Sequence, residues 1–107
     1  MNYFTLKTAD KITPTTGEDV GDLLVNSALA QLERLEKLEH DTSYAVLTAV
    51  QLLYIAADAY KAGAAVSLGH SRAARYHQAA RQAKQQADDL YAKASAKIAE
   101  NRKKQVA

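Results

Sequence analysis

A run of sixteen residues without a charged side chain constrains the fold of this chain more than any other feature. Residues 42–57 read TSYAVLTAVQLLYIAA, although 24% of the 107 residues are charged. In a helix this run would place apolar side chains on nearly every side, and such a helix has to be covered on nearly every side. The segment is therefore predicted to form the centre of a core, either within one chain or within an oligomer.

Apolar residues at helical spacing predict a hairpin of two helices over residues 16–62. The first helix is expected to begin at Thr16, where Thr16-Gly-Glu-Asp19 approximates a capping box, and to end near Glu39–His40. The second is expected to begin at the cap-forming cluster Asp41-Thr42-Ser43. Because this connection is short, the two helices should be antiparallel neighbours.

Helix two carries two apolar stripes, so one partner helix cannot cover it. The first stripe contains Val46, Val50, Leu53, Ala57 and Tyr60, and the second contains Ala45, Leu52, Ile55, Ala59 and Ala62. Each of Gly63 and Gly69 weakens a helix by about 1 kcal/mol relative to alanine, which predicts a hinge between them. A long basic helix is expected over residues 70–104, where a third apolar stripe contains Ala73, Tyr76, Ala80, Ala83, Ala87, Leu90 and Ala94, extended by Tyr91 and Ile98.

The start of the chain has a different pattern. Residues 3–8 (YFTLKT) alternate from side to side and predict a short strand or extended arm, followed by a loop at residues 9–15 that contains Pro14. The predicted fold is therefore all-α and a single domain over residues 1–107. It consists of an N-terminal arm (1–15), the helical hairpin (16–62) and the long C-terminal helix (70–104).

Targeting signals and cysteine chemistry do not show in the sequence. MNYFTLKTAD lacks the basic and apolar regions of a secretory signal, and the uncharged run is shorter than the roughly 20 residues of a membrane span. The absence of cysteine excludes disulfides and thiolate catalysis. We expect a soluble, cytoplasmic protein with no membrane association.

Charge is distributed unevenly along the chain, although the net charge is only +2. Residues 1–66 hold five basic and nine acidic groups and carry −4, whereas residues 67–107 hold nine basic and three acidic groups and carry +6. Such opposite charges allow the two halves to dock on each other, or each half to face a different partner.

The basic half contains the first candidate binding surface. On a helical wheel, a stripe of four cations has the pattern of a row that contacts phosphates; it consists of Arg72, Arg75, Lys93 and Lys97. Acidic residues at Asp88, Asp89 and Glu100 interrupt the helix. A solvated face, or a face that docks on an acidic protein, is therefore favoured over direct nucleic-acid binding.

Two tyrosines of helix two, Tyr44 and Tyr54, are further candidates for partner contacts. Tyrosine is common at interfaces because it buries a large area and keeps a polar tip. Both residues lie toward the polar edge of the helix. Half-buried core positions explain them equally well, so both interpretations stay open.

No motif predicts catalysis, a cofactor or a metal site. His70 and His77 could share a helix face, but no Glu, Asp or His follows either of them at the spacing that would add a ligand. Asp88 and Asp89 would point about 100° apart on a helix, so they would not converge as an acid and a base. We expect a protein that is not an enzyme, needs no cofactor and acts on no small-molecule substrate.

Three segments carry a resemblance to known proteins: YFTL, DVGDLLVNSALAQL and YAVLTAVQLLYIAADAY. Over residues 3–62 this pattern resembles a group of short helical-hairpin proteins of unknown function from pseudomonads and their phages. This chain adds a third helix to the pattern. The resemblance implies a small regulator or inhibitor that acts by contact, in the style of anti-CRISPR proteins, and it carries over no catalytic residue.

These patterns together predict a homodimeric, non-enzymatic protein-interaction module that binds a larger bacterial protein. One alternative is a nucleic-acid-binding accessory protein that uses the basic C-terminal helix, and another is a purely structural oligomer. The candidate partner-binding residues are Tyr44, Tyr54, Arg72, Arg75, Lys93 and Lys97.

Overall fold

Three helices form the part of the chain that the computed structural model describes, residues 14–106. Helix α1 spans Pro14–Glu36, α2 spans Ser43–Ala65 and α3 spans His70–Val106. This architecture confirms the predicted all-α fold of a hairpin and a long C-terminal helix. The strand predicted at residues 3–8 lies outside the described residues. No helix within residues 14–106 combines the length and the apolar character that crossing a bilayer requires.

Helix α1 begins and ends earlier than the sequence pattern predicts. The prediction of a loop through Pro14 is wrong, because proline is tolerated in the first helical turn, where its missing N–H would have no helical partner. Thr16 lies inside the helix, so the predicted capping box is also wrong. At the other end, the amides of Lys37 and Leu38 bond to carbonyls three residues back (3.2 and 3.1 Å). This tightened turn ends α1 before Glu39.

Helix α2 begins at the predicted cluster of cap-forming residues. The cap comes from Asp41, whose Oδ1 accepts hydrogen bonds from the Ser43 amide (3.1 Å) and the Ser43 hydroxyl (2.6 Å). Thr42 stands at the N-cap position but makes no side-chain capping bond. Asp41 thus satisfies an amide that the first turn would leave without a helical partner.

The chain reverses between α2 and α3 over residues 66–69, so the predicted break is present. Gly63, however, lies inside α2 and is buried. A Cβ placed on Gly17 of α1 would lie 2.8 Å from the Gly63 Cα and 2.7 Å from the Ala59 carbonyl oxygen. Gly63 therefore permits close contact between two helix backbones and does not form the turn.

Helix α2 is the central element, as the uncharged run at residues 42–57 predicts. It packs against α1 on one side and against α3 on the other, and both of these contacts are far more extensive than any between the backbones of α1 and α3. The first apolar stripe of α2 is buried apart from half-buried Val46. In the second stripe, Leu52 and Ala59 are half-buried and Ile55 is 49% exposed.

Small residues form most of the seam between α3 and α2, as the third stripe predicts. The buried residues of this seam are Tyr76, Ala80, Ala83, Ala87 and Ala94. The predicted extension to Tyr91 is wrong, because more than half of that side chain is exposed. Alanine at these positions lets the two helices approach closely.

Candidate partner-binding groove

Helices α1 and α3 are joined by side chains near their N-terminal ends. Arg75 of α3 forms an ion pair with the Glu18 carboxylate of α1 (3.1 Å), and the Tyr76 hydroxyl donates to Glu18 Oε1 (3.3 Å). One turn further along α1, Asp22 accepts a hydrogen bond from the Tyr60 hydroxyl of α2 (2.5 Å). The two contacts of Glu18 bring the acidic and basic halves of the chain together and close one end of the space between α1 and α3.

Toward the end of α1, the same space opens into a groove above α2. A cavity of about 130 Å³, lined by residues that include Val25 and Ala79, is followed by one of about 420 Å³. A third cavity of about 230 Å³ shares Val46 and Leu90 with the second and lies next to it, between the start of α2 and α3. We name this opening the α1–α3 groove; its larger apolar lining residues are Leu29, Leu32, Leu35, Val46 and Leu90.

The two rims of the α1–α3 groove carry opposite charges. Glu33 and Glu36 line the cavity of about 420 Å³ from α1, and Lys93 and Lys97 line the adjacent cavity of about 230 Å³ from α3. All four side chains are exposed. Within the described part of the chain, no ion pair joins one rim to the other. The groove therefore combines an apolar floor with one acidic and one basic rim, both free to interact with a partner.

The predicted basic stripe is split by the fold into two different environments. Arg75 is occupied at the closed end of the groove, where its guanidinium pairs with Glu18 and lies 5.1 Å from the Tyr76 ring centroid. Arg72 is exposed near the same end. Lys93 and Lys97 line the open end. The four residues thus do not form one uniform row toward a single ligand.

Lys97 also acts on the start of α2 through Asp41. The hydrogen bonds from Ser43, assisted by the positive charge of Lys97 and by a bond from Asn101 (2.6 Å), hold the pKa of Asp41 below its ordinary value of 3.8. Asp41 therefore stays ionised at neutral pH. Part of the field of Lys97 is therefore balanced from within the chain, whereas Lys93 forms no ion pair with another of the described residues.

The two candidate tyrosines lie outside the lining of the groove. Tyr44 is exposed, and its hydroxyl accepts a long hydrogen bond from Arg102 (3.4 Å). Tyr54 is half-buried and donates to Asp88 of α3 (2.5 Å), a bond that raises the pKa of Tyr54 above its ordinary value of 10.0. This contact favours the core interpretation for Tyr54, while Tyr44 remains accessible to a partner.

Neither the acidic rim nor the apolar floor of the groove is evident from the sequence alone. Leu29, Leu32, Glu33 and Glu36 are spaced three and four residues apart, which is the signal that places them on one side of α1. That spacing does not reveal that α3 leaves this side uncovered. The information is contained in the position of α3 relative to α1.

Neither the titratable groups nor the comparisons point to a reaction. Among the residues described, no group of three or more His, Cys, Asp and Glu side chains is placed to hold a metal ion. Comparison with protein-family models, with curated proteins and with solved structures gives no match for this chain. The geometry of the α1–α3 groove is therefore the feature that indicates a function.

Proposed function

We propose that this chain is a non-enzymatic protein-interaction module, a small regulator or inhibitor that binds a larger protein through the α1–α3 groove. The observation that supports this proposal is the groove itself, where Leu29 is 42% exposed and Val46 and Leu90 are half-buried between charged rims. Burial of apolar surface drives most protein association, and an apolar centre with a polar rim is the usual anatomy of an interface.

The resemblance to helical-hairpin proteins of pseudomonads and their phages extends the proposal to a class of target. In that reading the chain is an anti-CRISPR-like inhibitor of a larger bacterial machine, of phage or bacterial origin, and it acts in the cytoplasm. An inhibitor of this kind works by occupying a surface of its target. It therefore requires no catalytic group and no cofactor.

Capture of the target from a bacterial lysate tests the proposed function. The tagged chain is compared with its Leu29→Asp and Leu23→Asp variants after nuclease treatment, and retained proteins are identified by mass spectrometry. Leu23 is the matched control because it is 65% exposed on the same helix but does not line the groove. A protein retained by the wild type and by Leu23→Asp, but lost with Leu29→Asp, supports the proposal. Recovery of no protein after nuclease treatment contradicts it.

The alternative function is nucleic-acid binding through α3. Exposed cations at Arg72, Lys93 and Lys97 favour it. Against it, Arg75 is occupied by Glu18, and the acidic rim of the groove would repel phosphates beside Lys93. We expect only weak, salt-sensitive and sequence-independent binding, at roughly 10⁻⁴–10⁻⁶ M.

Charge reversal separates this alternative from the protein-interaction function. The variant changes four residues to Glu: Arg72, Arg75, Lys93 and Lys97. If it abolishes both biological activity and a tight, salt-dependent association with DNA or RNA, the nucleic-acid function replaces the proposed one. If activity instead falls with Leu29→Asp while nucleic-acid binding stays negligible, the proposed function stands.

We further propose that the chain forms a homodimer through the second apolar stripe of α2. That stripe contains no charged residue, and Ile55 within it is about half exposed. An uncharged face can pack against its own copy across a two-fold axis without bringing like charges together. The dimer would cover the part of α2 that α1 and α3 leave open.

A further inference from the structure

We infer that the occupant of the α1–α3 groove is an amphipathic helix with basic residues along one flank of its apolar face and acidic residues along the other. This inference rests on the proposed function and adds the chemistry of the partner. It follows from the shape of the groove and from the signs of its two rims.

The shape of the groove suits a helix. Helices α1 and α3 run in the same direction, and each packs far more extensively on α2 than on the other. A helix laid between them, opposite α2, would complete a four-helix arrangement. From Val25 to Glu36 the α1 wall is about 17 Å long at 1.5 Å per residue, so an occupant of about 12 residues or more would fill it.

The charges of the two rims determine which charges the two flanks of the occupant should carry. A basic flank can pair with Glu33 and Glu36, and an acidic flank can pair with Lys93 and Lys97. A helix that is acidic on both flanks would meet repulsion from α1, and one that is basic on both flanks would meet repulsion from α3. The second apolar stripe of α2, which the chain itself leaves partly exposed, is uncharged and does not match this pattern.

Three conformationally locked helical peptides with one common apolar face test the inference. The first has one basic and one acidic flank, the second has two acidic flanks and the third has two basic flanks. A mixed peptide with exchanged flanks is not a useful control, because reversing its direction in the groove restores the same pairing. Binding to the full chain is measured by fluorescence anisotropy at moderate ionic strength. We expect the mixed peptide to bind about fourfold more tightly than either of the others, since each of them loses two exposed ion pairs and each pair contributes about twofold.

Charge-reversed variants test whether the rim residues determine which peptide is preferred. Glu33→Lys with Glu36→Lys makes both rims basic, so the preference should change to the peptide with two acidic flanks. Asp19→Lys with Glu39→Lys alters the net charge equally at exposed positions that do not line the groove, and should keep the preference for mixed flanks. Leu29→Asp should weaken binding of every peptide by about tenfold or more, because it places a charge on the apolar floor.

Several results would overturn the inference. They are the absence of saturable binding by any peptide, an unchanged preference after Glu33→Lys with Glu36→Lys, and self-association that Leu29→Asp abolishes, which would make a second copy the occupant. Should Leu29→Asp fail to fold, as judged by circular dichroism, the rim variants still decide. If a captured target depends on Leu29 but the peptides show no preference among flanks, this inference fails and the proposed function remains.

Discussion

At the scale of single residues, two glycines of α1 determine how closely that helix meets α2. A Cβ on Gly17 would contact backbone atoms of Ala59 and Gly63, and one on Gly21 would lie 2.6 Å from the Tyr60 ring. The Tyr60 hydroxyl is bonded to Asp22, so the ring cannot turn away without losing that bond. Both glycines are therefore required by close approach and not by a turn.

Gly17→Ala is expected to lower the free energy of unfolding by about 1–3 kcal/mol, because the new methyl group would force two helix backbones apart. Alanine favours a helix over glycine by about 1 kcal/mol, so only the contact with α2 can produce a net loss. Gly69→Ala is the matched control, since nothing lies within 4 Å of its added Cβ. Urea denaturation measures both variants. Equal stability of the two would contradict the close contact at Gly17.

Tyr60 predicts a dependence of stability on alkaline pH. Burial, and then the bond to Asp22, raises the pKa of Tyr60 well above its ordinary value of 10.0. Above that value the unfolded chain binds fewer protons than the folded one, so the free energy of unfolding falls as pH rises. Below pH 10.0, the free energy of unfolding of the wild type should exceed that of Tyr60→Phe by about 1 kcal/mol. We expect this difference to shrink above pH 10.0 in denaturation curves; a constant difference would exclude the effect.

At the scale of elements, the alanine seam of α3 sets the distance between α3 and α2. Ala83 and Ala87 are buried, and α3 is 37 residues long. Alanine contributes little apolar area per residue, so the seam depends on close packing over many residues. Two hydrogen bonds add polar contacts to α3 along the same length. Tyr54 of α2 bonds to Asp88, and Asp41, which precedes α2, bonds to Asn101.

Ala87→Leu should destabilise the protein by about 1–3 kcal/mol, because the buried seam has no space for a larger side chain. Ala92 lies on the same helix and is exposed, so Ala92→Leu serves as its control and should change stability by less than about 0.5 kcal/mol. Thermal denaturation followed by circular dichroism compares them. An Ala87→Leu variant as stable as the wild type would show that the seam is loosely packed.

At the scale of the whole molecule, α2 has more apolar surface than its two neighbours cover. The first stripe faces α1 and α3 and is almost entirely buried. Two surfaces stay partly open, namely the α1–α3 groove and the second stripe around Ile55. The proposed partner helix and the proposed second copy would each cover one of them.

Light scattering coupled to size exclusion should give the mass of a dimer at micromolar concentration, twice the 11.6 kDa of the chain. Ile55→Asp should yield a folded monomer, because Ile55 is at the surface of the isolated chain. Leu53→Asp should both dissociate and unfold the protein, because Leu53 is 0% exposed and an unpaired charge at this position would not be solvated. A mass near 11.6 kDa across a wide dilution range would rule out the dimer.

The sequence by itself determined the number, order and approximate bounds of the helices within residues 14–106. The uncharged run at residues 42–57, the spacing of apolar residues and the breaks near Asp41 and Gly69 are local signals, and helix formation responds to local signals. The ends were less predictable. Helix α1 begins at Pro14 and ends at Glu36, and the hydrogen bonds that set its last turn are not described by the apolar pattern.

The tertiary structure alone decided the candidate site, because the site depends on how the helices are rotated and placed relative to one another. Unequal charge along the chain allowed the two halves to dock, but it did not specify that Arg75 meets Glu18 while Lys93 and Glu33 stay apart on opposite rims. Likewise, the contact between Gly63 of α2 and Gly17 of α1 arises only from the packing of the two helices. Periodicity identifies which side of a helix is apolar, and only the packing of three helices determines which part of that side remains open.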